Sequence, residues 1–155
     1  MGGEPSSSGV ALRELRRDDW PVDYEAVTRL WGDAGLAYRP NGRDRAERVL
    51  VELERGTALF LLAEVDGRPV GVVVATHDGR KGWINRLAVA PAYRRRGIAA
   101  LLVREAETRL AAAGMDITAA LIETPNRASL AFFESIGYVH DPHIEYVSKR
   151  ASPDT

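Results

Sequence analysis

The residues best suited to chemistry lie in a basic turn between a predicted strand and a predicted helix. The strand ends at residues 87–89, the turn carries Arg94-Arg95-Arg96, and the helix begins at Gly97. The first amides of a helix have no intrahelical acceptor and lie at the positive end of its dipole. Gly97 has no Cβ and Ala99 has only a methyl group, so a pyrophosphate could approach these amides closely. We predict an anion site here; the alternative is a solvated turn.

Alternating apolar residues predict the strands that must position this turn. The turn Asp66-Gly67 joins two of them as an antiparallel hairpin. The predicted strands cover residues 10–15, 57–65, 68–76, 83–89 and 116–122, with one or two more from Tyr138 to near Lys149.

Helical spacing of apolar residues predicts four helices. They run from a cap at Asp18 or Asp19 to residue 33, and over residues 43–55, 97–113 and 126–136. The order β-α-α-β-β-β-α-β-α-β requires crossover packing around the third helix. The predicted fold class is therefore α/β, a mixed sheet with helices on both faces.

Length, composition and charge restrict the possible functions. The chain has 155 residues, three histidines, no cysteine and a formal charge of −1. We expect one domain over residues 10–150, between a disordered tail (1–9) and a short tail (151–155). The lack of cysteine excludes thiolate nucleophiles and Cys-based zinc sites, and we expect no metal. The near-neutral charge predicts neither a nucleic-acid nor a membrane partner, and we expect a cytoplasmic protein.

Two motifs in register resemble those of a known family. Leu87-Ala-Val-x-Pro followed by Arg94-x-x-Gly97-x-Ala99 is similar to the acetyl-CoA motif of the GCN5-related N-acetyltransferase (GNAT) superfamily. Asn126 with Ala131-Phe-Phe-Glu-Ser-Ile-Gly137-Tyr138 resembles its second motif. The resemblance extends over nearly the whole chain. It implies a mostly antiparallel N-terminal meander and a splayed central strand pair, with a bulge in the strand at residues 87–89.

The resemblance also implies a cofactor and the residues that bind it. The pantetheine arm of acetyl-CoA would lie in the gap between the splayed strands, and the amides before and after Gly97 would hold the pyrophosphate. Asn126 would hydrogen-bond the cofactor arm, cap a helix, or do both. The implied cofactor-binding residues are Leu87, Ala88, Val89, Arg94, Arg95, Arg96, Gly97, Ile98, Ala99, Ala100 and Asn126.

The implied reaction is direct attack of an amine on the thioester in a ternary complex, which needs a group to remove the amine proton. The family's usual tyrosine beside the departing thiolate corresponds to Phe133, which cannot donate a proton. Two frequent positions of the base correspond to Trp83 and Leu121, which cannot accept one. The usual acid–base pair is therefore absent.

Two substitutes are proposed from the sequence. Glu123 follows Leu121 by two residues, on the same face of a regular strand, and could act as the base or hold a water; alternatively it is an exposed carboxylate. Asn85 could order a water or bind the acceptor; alternatively it makes a cross-strand hydrogen bond. His140 and His143 lie in a later loop, where a solvated imidazole is the default.

The acceptor is expected to contact the first two helices and their connection, with Trp31, Tyr38 and Arg39 lining its pocket. The alternative is helix packing beside a solvated loop. The resemblance implies acetyl-CoA and an amine acceptor, a small molecule or a protein amine, as partners. Homodimers are common in this family, although no apolar stripe identifies an interface.

A catalytically silent acyl-CoA-binding or regulatory module is the main alternative to an acetyltransferase. Phe133 and Leu121 motivate it because they replace the usual acid–base pair. Nucleic-acid binding through residues 94–96 is disfavoured, since the chain has no wider basic face with interleaved aromatic residues.

Overall fold

The computed structural model describes residues 9–153, so the predicted N-terminal tail lies almost wholly outside the described residues. Five strands form one sheet in the order β1-β2-β3-β4-β5. The first four are antiparallel neighbours, and β4 and β5 are parallel. The strands are β1 (Val10–Glu14), β2 (Ala58–Val65), β3 (Arg68–His77), β4 (Gly82–Val89) and β5 (Thr118–Ala120).

Helices cover both faces of the sheet. Those on one face are α1 (Val22–Asp33) and α2 (Ala46–Arg55), which pack with Phe60 and Val72. Those on the other are α3 (Ile98–Ala112) and α4 (Arg127–Ser135), which pack with Val73 and Ile84. The central strand β3 is buried on both faces, which explains its nearly continuous apolar run. The α/β class, the antiparallel meander and the two helical layers are confirmed.

The turn between β2 and β3 illustrates local sequence control of the fold. Asp66 and Gly67 both have positive φ, 51° and 75°. Two consecutive residues with positive φ match the twist of a two-residue hairpin, and Asp-Gly is a favoured pair there. The predicted hairpin is confirmed.

The start of the first helix was predicted wrongly. Residues Arg17–Asp19 form a short 3-10 turn, and α1 begins after Pro21 with no side-chain cap. Asp19 instead forms an ion pair with Arg13 at 3.6 Å. Because Asp19 pairs with a cation in the folded chain, its carboxylate does not cap α1. A prediction from capping residues alone therefore places the start of α1 too early.

The C-terminal strands were also predicted wrongly. Residues 138–150 carry no strand or helix, and every residue from 139 to 150 is exposed. Strand β5 is shorter than predicted because its ladder with β4 contains only three residue pairs. A strand needs a neighbour to pair with, and none of the strands among residues 9–153 pairs with this segment. Among residues 9–153, no helix is long and apolar enough to cross a membrane.

Candidate active site

A wedge-shaped gap opens between β4 and β5. The two strands pair from Gly82 with Thr118 to Ile84 with Ala120. Beyond these pairs β4 continues to Val89, whereas β5 ends at Ala120. The splayed strand pair is therefore present, and one backbone edge of residues 85–89 has no strand partner among the described residues. Unpaired backbone groups on such an edge can bind an extended ligand as a further strand would.

A bulge marks the start of the gap. In the β3–β4 ladder, Val74 pairs with Arg86 and Ala75 pairs with Ile84, which leaves Asn85 without an opposite residue. The predicted bulge at residues 87–89 thus lies at Asn85, two residues earlier than its nearest predicted position. A β-bulge bends its strand and increases the local twist, which accounts for the divergence of β4 from β5 at this point.

The N-terminus of α3 presents a row of free amides at the end of the gap. The first backbone bond into this helix runs from the Leu101 amide to the Gly97 carbonyl, at 3.1 Å. The amides of residues 95–100 have no acceptor among the described residues. Arg95 and Gly97 have positive φ, 63° and 78°, and alternation of this kind turns successive amides to one side. This geometry fits the predicted anion site.

The glycine at position 97 is required by its backbone and not by packing. Its φ is 78°, a backbone conformation that residues other than glycine adopt only with strain. A Cβ added at this position would meet no atom within 4 Å. Space is therefore left over the amides for a ligand.

The three arginines of the turn are all exposed. The Arg94 Nε donates to the Val89 carbonyl at 3.3 Å, which ties the turn to the end of β4. The Arg96 guanidinium lies 4.9 Å from the centre of the Tyr93 ring. Positive charge thus surrounds the free amides, although the chain as a whole has a charge of −1.

Asn126 caps α4. Its side-chain oxygen accepts a hydrogen bond from the Ser129 amide at 3.1 Å. The residue is exposed, so its amide nitrogen is accessible to a ligand. The cap is thereby observed, and the contact with the cofactor arm stays a prediction.

Phe133 fills space in the core beneath the site. It is 6% exposed, and its ring packs edge-on against Phe132 and Tyr138 at centroid distances of 5.2 and 5.0 Å. Burial and the nearby Glu107 raise the pKa of Tyr138 to about 12. The Tyr138 hydroxyl is buried without a hydrogen-bond partner among residues 9–153. Phe133 itself brings no hydroxyl to the site.

The two proposed catalytic residues lie at the mouth of the gap. Glu123 is exposed in the coil after β5, and its carbonyl accepts from the Asn126 amide at 2.9 Å. Asn85 is exposed at the bulge, and its side-chain amide donates to the Thr76 hydroxyl at 2.8 Å. The alternative for Asn85, a cross-strand hydrogen bond, is therefore observed. One N–H and the amide oxygen remain for a water or an acceptor.

On the α1–α2 face of the sheet, a largely buried ion pair involves Arg86 of β4. The Arg86 guanidinium donates to Asp44 at 2.8 Å and lies 4.4 Å from the centre of the Trp31 ring. The Asp44 carboxylate also accepts a hydrogen bond from the Arg39 backbone amide at 2.6 Å. The backbone carbonyl of Asp44 accepts a hydrogen bond from the Tyr24 hydroxyl. A buried carboxylate needs such partners. The pair fixes the connection between α1 and α2 against β4.

The predicted acceptor residues divide between the core and the surface. Trp31 is 1% exposed and packs against Tyr38, so it supports the site from beneath. Tyr38 and Arg39 line a cavity of about 240 Å³ in the α1–α2 connection, together with Pro40, Asn41 and Gly42. The structure thus brings two of the three residues to one cavity.

Two further residues were missed by the sequence reasoning. Arg86 is the one charge in an otherwise uncharged predicted strand (83–89), a signal that could have identified it. Glu52 is half-buried on α2, and its carboxylate has no hydrogen bond or ion pair with any described residue. Burial, and secondarily the charge of Asp44, raise the pKa of Glu52, opposed by Arg48 and Arg86. Nothing in the sequence distinguishes Glu52 from the other charged residues of its helix.

Within the described part of the chain, no group of three or more His, Cys, Asp or Glu side chains is placed to hold a metal ion. The groups described above are backbone amides, a free strand edge, arginines and separate carboxylates. This set of groups can bind an extended anionic molecule and position a second reactant beside it.

Comparison with known proteins gives a consistent assignment. A family model described as Acetyltransferase (GNAT) family matches residues 10–138. A curated relative, Acetyltransferase SG1711 of Sodalis glossinidius (strain morsitans), is 32% identical over 145 residues, which cover 94% of this chain and 98% of the relative.

Two solved structures share the fold. The aminoglycoside acetyltransferase meta-AAC0020, from an uncultured soil metagenomic sample and in complex with trehalose, has a TM-score of 0.79 at 15% identity, covering 94% of this chain and 99% of that one. The PaiA N-acetyltransferase of Thermoplasma acidophilum, in complex with coenzyme A, has a TM-score of 0.71 at 20% identity, covering 85% and 91%. Since the family model spans most of the sequence and the relative aligns over nearly its full length, the chain belongs to the GNAT family of acetyltransferases.

Proposed function

We propose that this acetyltransferase moves the acetyl group of acetyl-CoA to a primary amine by direct attack in a ternary complex. The observation that carries the proposal is the unpaired edge of β4, followed along the chain by the free amides of residues 95–100. An extended arm that ends in a pyrophosphate matches both features. The coenzyme A bound to the Thermoplasma protein supports the same choice of cofactor.

In the proposed reaction, the amine nitrogen forms a bond to the thioester carbonyl carbon, and the carbon–sulfur bond breaks. The amine loses a proton, and the departing thiolate takes one up. Phe133 cannot supply the second proton, and in this proposal the proton comes from water. Alignment of the reactants can provide much of the rate enhancement, because aminolysis of a thioester is intrinsically feasible.

Two carboxylates are proposed to receive the proton of the amine. Glu123 lies at the mouth of the gap and is exposed. Glu52 lies on α2, on the α1–α2 face of the sheet, where burial raises its pKa and makes it a stronger base than an ordinary carboxylate. Its lack of a partner among the described residues leaves it available to a cationic amine. The aminoglycoside acetyltransferase that shares this fold is named for an acceptor class rich in such amines.

The proposal is tested by measuring acceptor-dependent release of CoA with a thiol reagent. Because the chain has no cysteine, the protein itself contributes no thiol signal. The acceptor panel contains polyamines, aminoglycosides, lysine and peptides with a free N-terminus. We expect release with at least one of these amines. Binding of acetyl-CoA without release from any of them would favour a silent acyl-CoA-binding module, to which the loss of the tyrosine at position 133 also points.

The base is identified by variants at fixed acetyl-CoA saturation. Glu52→Gln and Glu123→Gln are compared with Glu134→Gln, which changes an exposed carboxylate without a partner among the described residues. Loss of the base is expected to lower kcat about 100-fold, the lower range for general base catalysis, with the KM for acetyl-CoA unchanged. If neither variant differs from Glu134→Gln, then neither carboxylate removes the proton.

A further inference from the structure

We propose that Arg86 and Asp44 position the acceptor amine, because their ion pair holds residues 38–42 (the cavity segment) against the strand whose free edge is assigned to acetyl-CoA. The inference rests on the proposed function, since it takes the cavity segment as part of the acceptor site. Neither Arg86 nor Asp44 is assigned a contact with the reacting atoms. Both are therefore positioning residues, which act through the residues that they hold.

Arg86 lies where β4 separates from β5. The last residue of β4 that pairs with β5 is Ile84, and Arg86 directly follows the bulge residue Asn85. On the other side of the strand, Arg86 pairs with Val74 of β3. The sheet therefore fixes Arg86 at the start of the free edge, and a group held by its side chain is held in register with that edge.

Two routes of contact connect Arg86 to the cavity segment. In the first, the Arg86 guanidinium donates to the Asp44 carboxylate at 2.8 Å, and that carboxylate accepts from the Arg39 amide at 2.6 Å. In the second, the guanidinium lies 4.4 Å from the centre of the Trp31 ring, which in turn lies 6.0 Å from that of the Tyr38 ring. Tyr38 and Arg39 both line the cavity, so one side chain supports two of its residues.

The cavity segment depends on such contacts because residues 36–45 contain no helix or strand. The amides of Gly42 and Asp44 both donate to the Arg39 carbonyl at 3.0 Å, which closes a tight loop. The Asp44 carbonyl accepts from the Tyr24 hydroxyl at 2.9 Å and thereby fastens the loop to α1. The ion pair with Arg86 ties the same loop to the sheet.

Loss of either charge is expected to displace the cavity segment. The side chains of Arg86 and Asp44 are only 15% and 11% exposed. A charge left unpaired at such burial is costly, and the fold relieves the cost by letting water reach it. The loop around Arg39 has no regular structure that resists this movement. Direct attack requires the amine and the thioester carbonyl to be aligned, and a displacement of about 1 Å can cost about 100-fold in rate.

A second buried ion pair of the same chain offers a matched control. The Asp23 side chain on α1 is 8% exposed and accepts two hydrogen bonds from Arg13 of β1, both at 2.9 Å. Among residues 9–153, none of the hydrogen bonds or ion pairs of Asp23 reaches the cavity segment. Asp23→Asn should therefore destabilise the fold much as Asp44→Asn does, without moving the cavity segment.

The first test needs neither an acceptor nor turnover. Hydrogen exchange followed by mass spectrometry compares peptides that contain residues 38–45 in wild type, Arg86→Met and Asp23→Asn. We expect faster exchange of these peptides in Arg86→Met and unchanged exchange in Asp23→Asn. Exchange as slow in Arg86→Met as in wild type would overturn the proposal, because the ion pair would then not hold the cavity segment.

The second test separates use of the amine from binding of acetyl-CoA. Kinetics with an amine that supports release of CoA are measured for Asp44→Asn, Arg86→Met and Asp23→Asn. We expect kcat/KM for the amine to fall at least about tenfold in the first two variants, with the KM for acetyl-CoA unchanged. Arg86→Lys should recover part of the loss, since its ammonium can pair with Asp44 but lacks the planar group that lies over Trp31.

The outcomes distinguish this role from the proposed function. A kcat/KM for the amine that is unchanged in Asp44→Asn, or that falls equally in Asp23→Asn, would overturn the positioning role alone. A parallel rise in the KM for acetyl-CoA would also overturn it, since both reactants would then be displaced. If the wild type releases no CoA with any amine, the proposed function itself is overturned, and the positioning role with it.

Discussion

Gly97→Glu places a carboxylate among the free amides at the N-terminus of α3 and tests the assignment of the cofactor site. The wild-type residue has φ of 78° and open space around its missing Cβ, so the folded chain can accommodate the larger side chain at the cost of backbone strain. Gly79 offers a matched control. It has φ of 87° and equally open space, but it lies in the turn between β3 and β4.

The expected loss of affinity follows from the charges. A carboxylate and one phosphate charge about 5 Å apart repel by about 1 kcal/mol in bulk water and by about 3 kcal/mol at an effective dielectric constant of 20. These energies correspond to a weakening of about 5- to 150-fold. Left-handed backbone strain of roughly 1 kcal/mol falls on both variants, so their unfolding temperatures without ligand should drop alike.

The assay is calorimetric titration of each variant with acetyl-CoA, combined with thermal unfolding of the free proteins. We expect Gly79→Glu to bind like wild type and Gly97→Glu to bind at least fivefold more weakly. Equal affinities of the two variants would refute the placement of the pyrophosphate at these amides.

Two further predictions concern the core beneath the site. Phe133→Ala removes a ring that is 6% exposed and should lower the free energy of unfolding by about 3–5 kcal/mol in urea titrations, while a loss below 1 kcal/mol would contradict its packing role. In the folded chain the pKa of Tyr138 is raised to about 12, whereas in the unfolded chain the tyrosine loses its proton near pH 10. The protonated Tyr138 therefore stabilises the folded chain fully below about pH 10, and this contribution is lost between pH 10 and 12. Tyr138→Phe should therefore lose less stability than wild type over that interval in thermal unfolding, and parallel curves would argue against the raised pKa.

The hairpin, the amphipathic helices and the glycine-led turn could be predicted because each is governed by local chemistry. The two-residue turn requires positive φ, which Asp66 and Gly67 adopt, and Gly97 adopts positive φ directly before a helix. In both cases the determining residues lie within the element itself.

Features that depend on distant partners could not be predicted. Asp19 pairs with Arg13 instead of capping α1, and the segment after Tyr138 pairs with no strand in the part of the chain that the structure describes. The same limit applies to the α1–α2 face of the sheet. Glu52 becomes a candidate only once α2 is packed on the sheet, since it is distinguished by its burial and not by its sequence position.

The most direct test of the central claim is thermal unfolding with and without excess acetyl-CoA, with ATP and NAD at equal concentration as controls. Ligand at about 100 times its dissociation constant stabilises the folded chain by roughly 2.7 kcal/mol, which corresponds to about 5–10 °C for a domain of this size. We predict this shift with acetyl-CoA alone. No shift with acetyl-CoA, or an equal shift with all three ligands, would contradict a specific acetyl-CoA site between β4 and the N-terminus of α3.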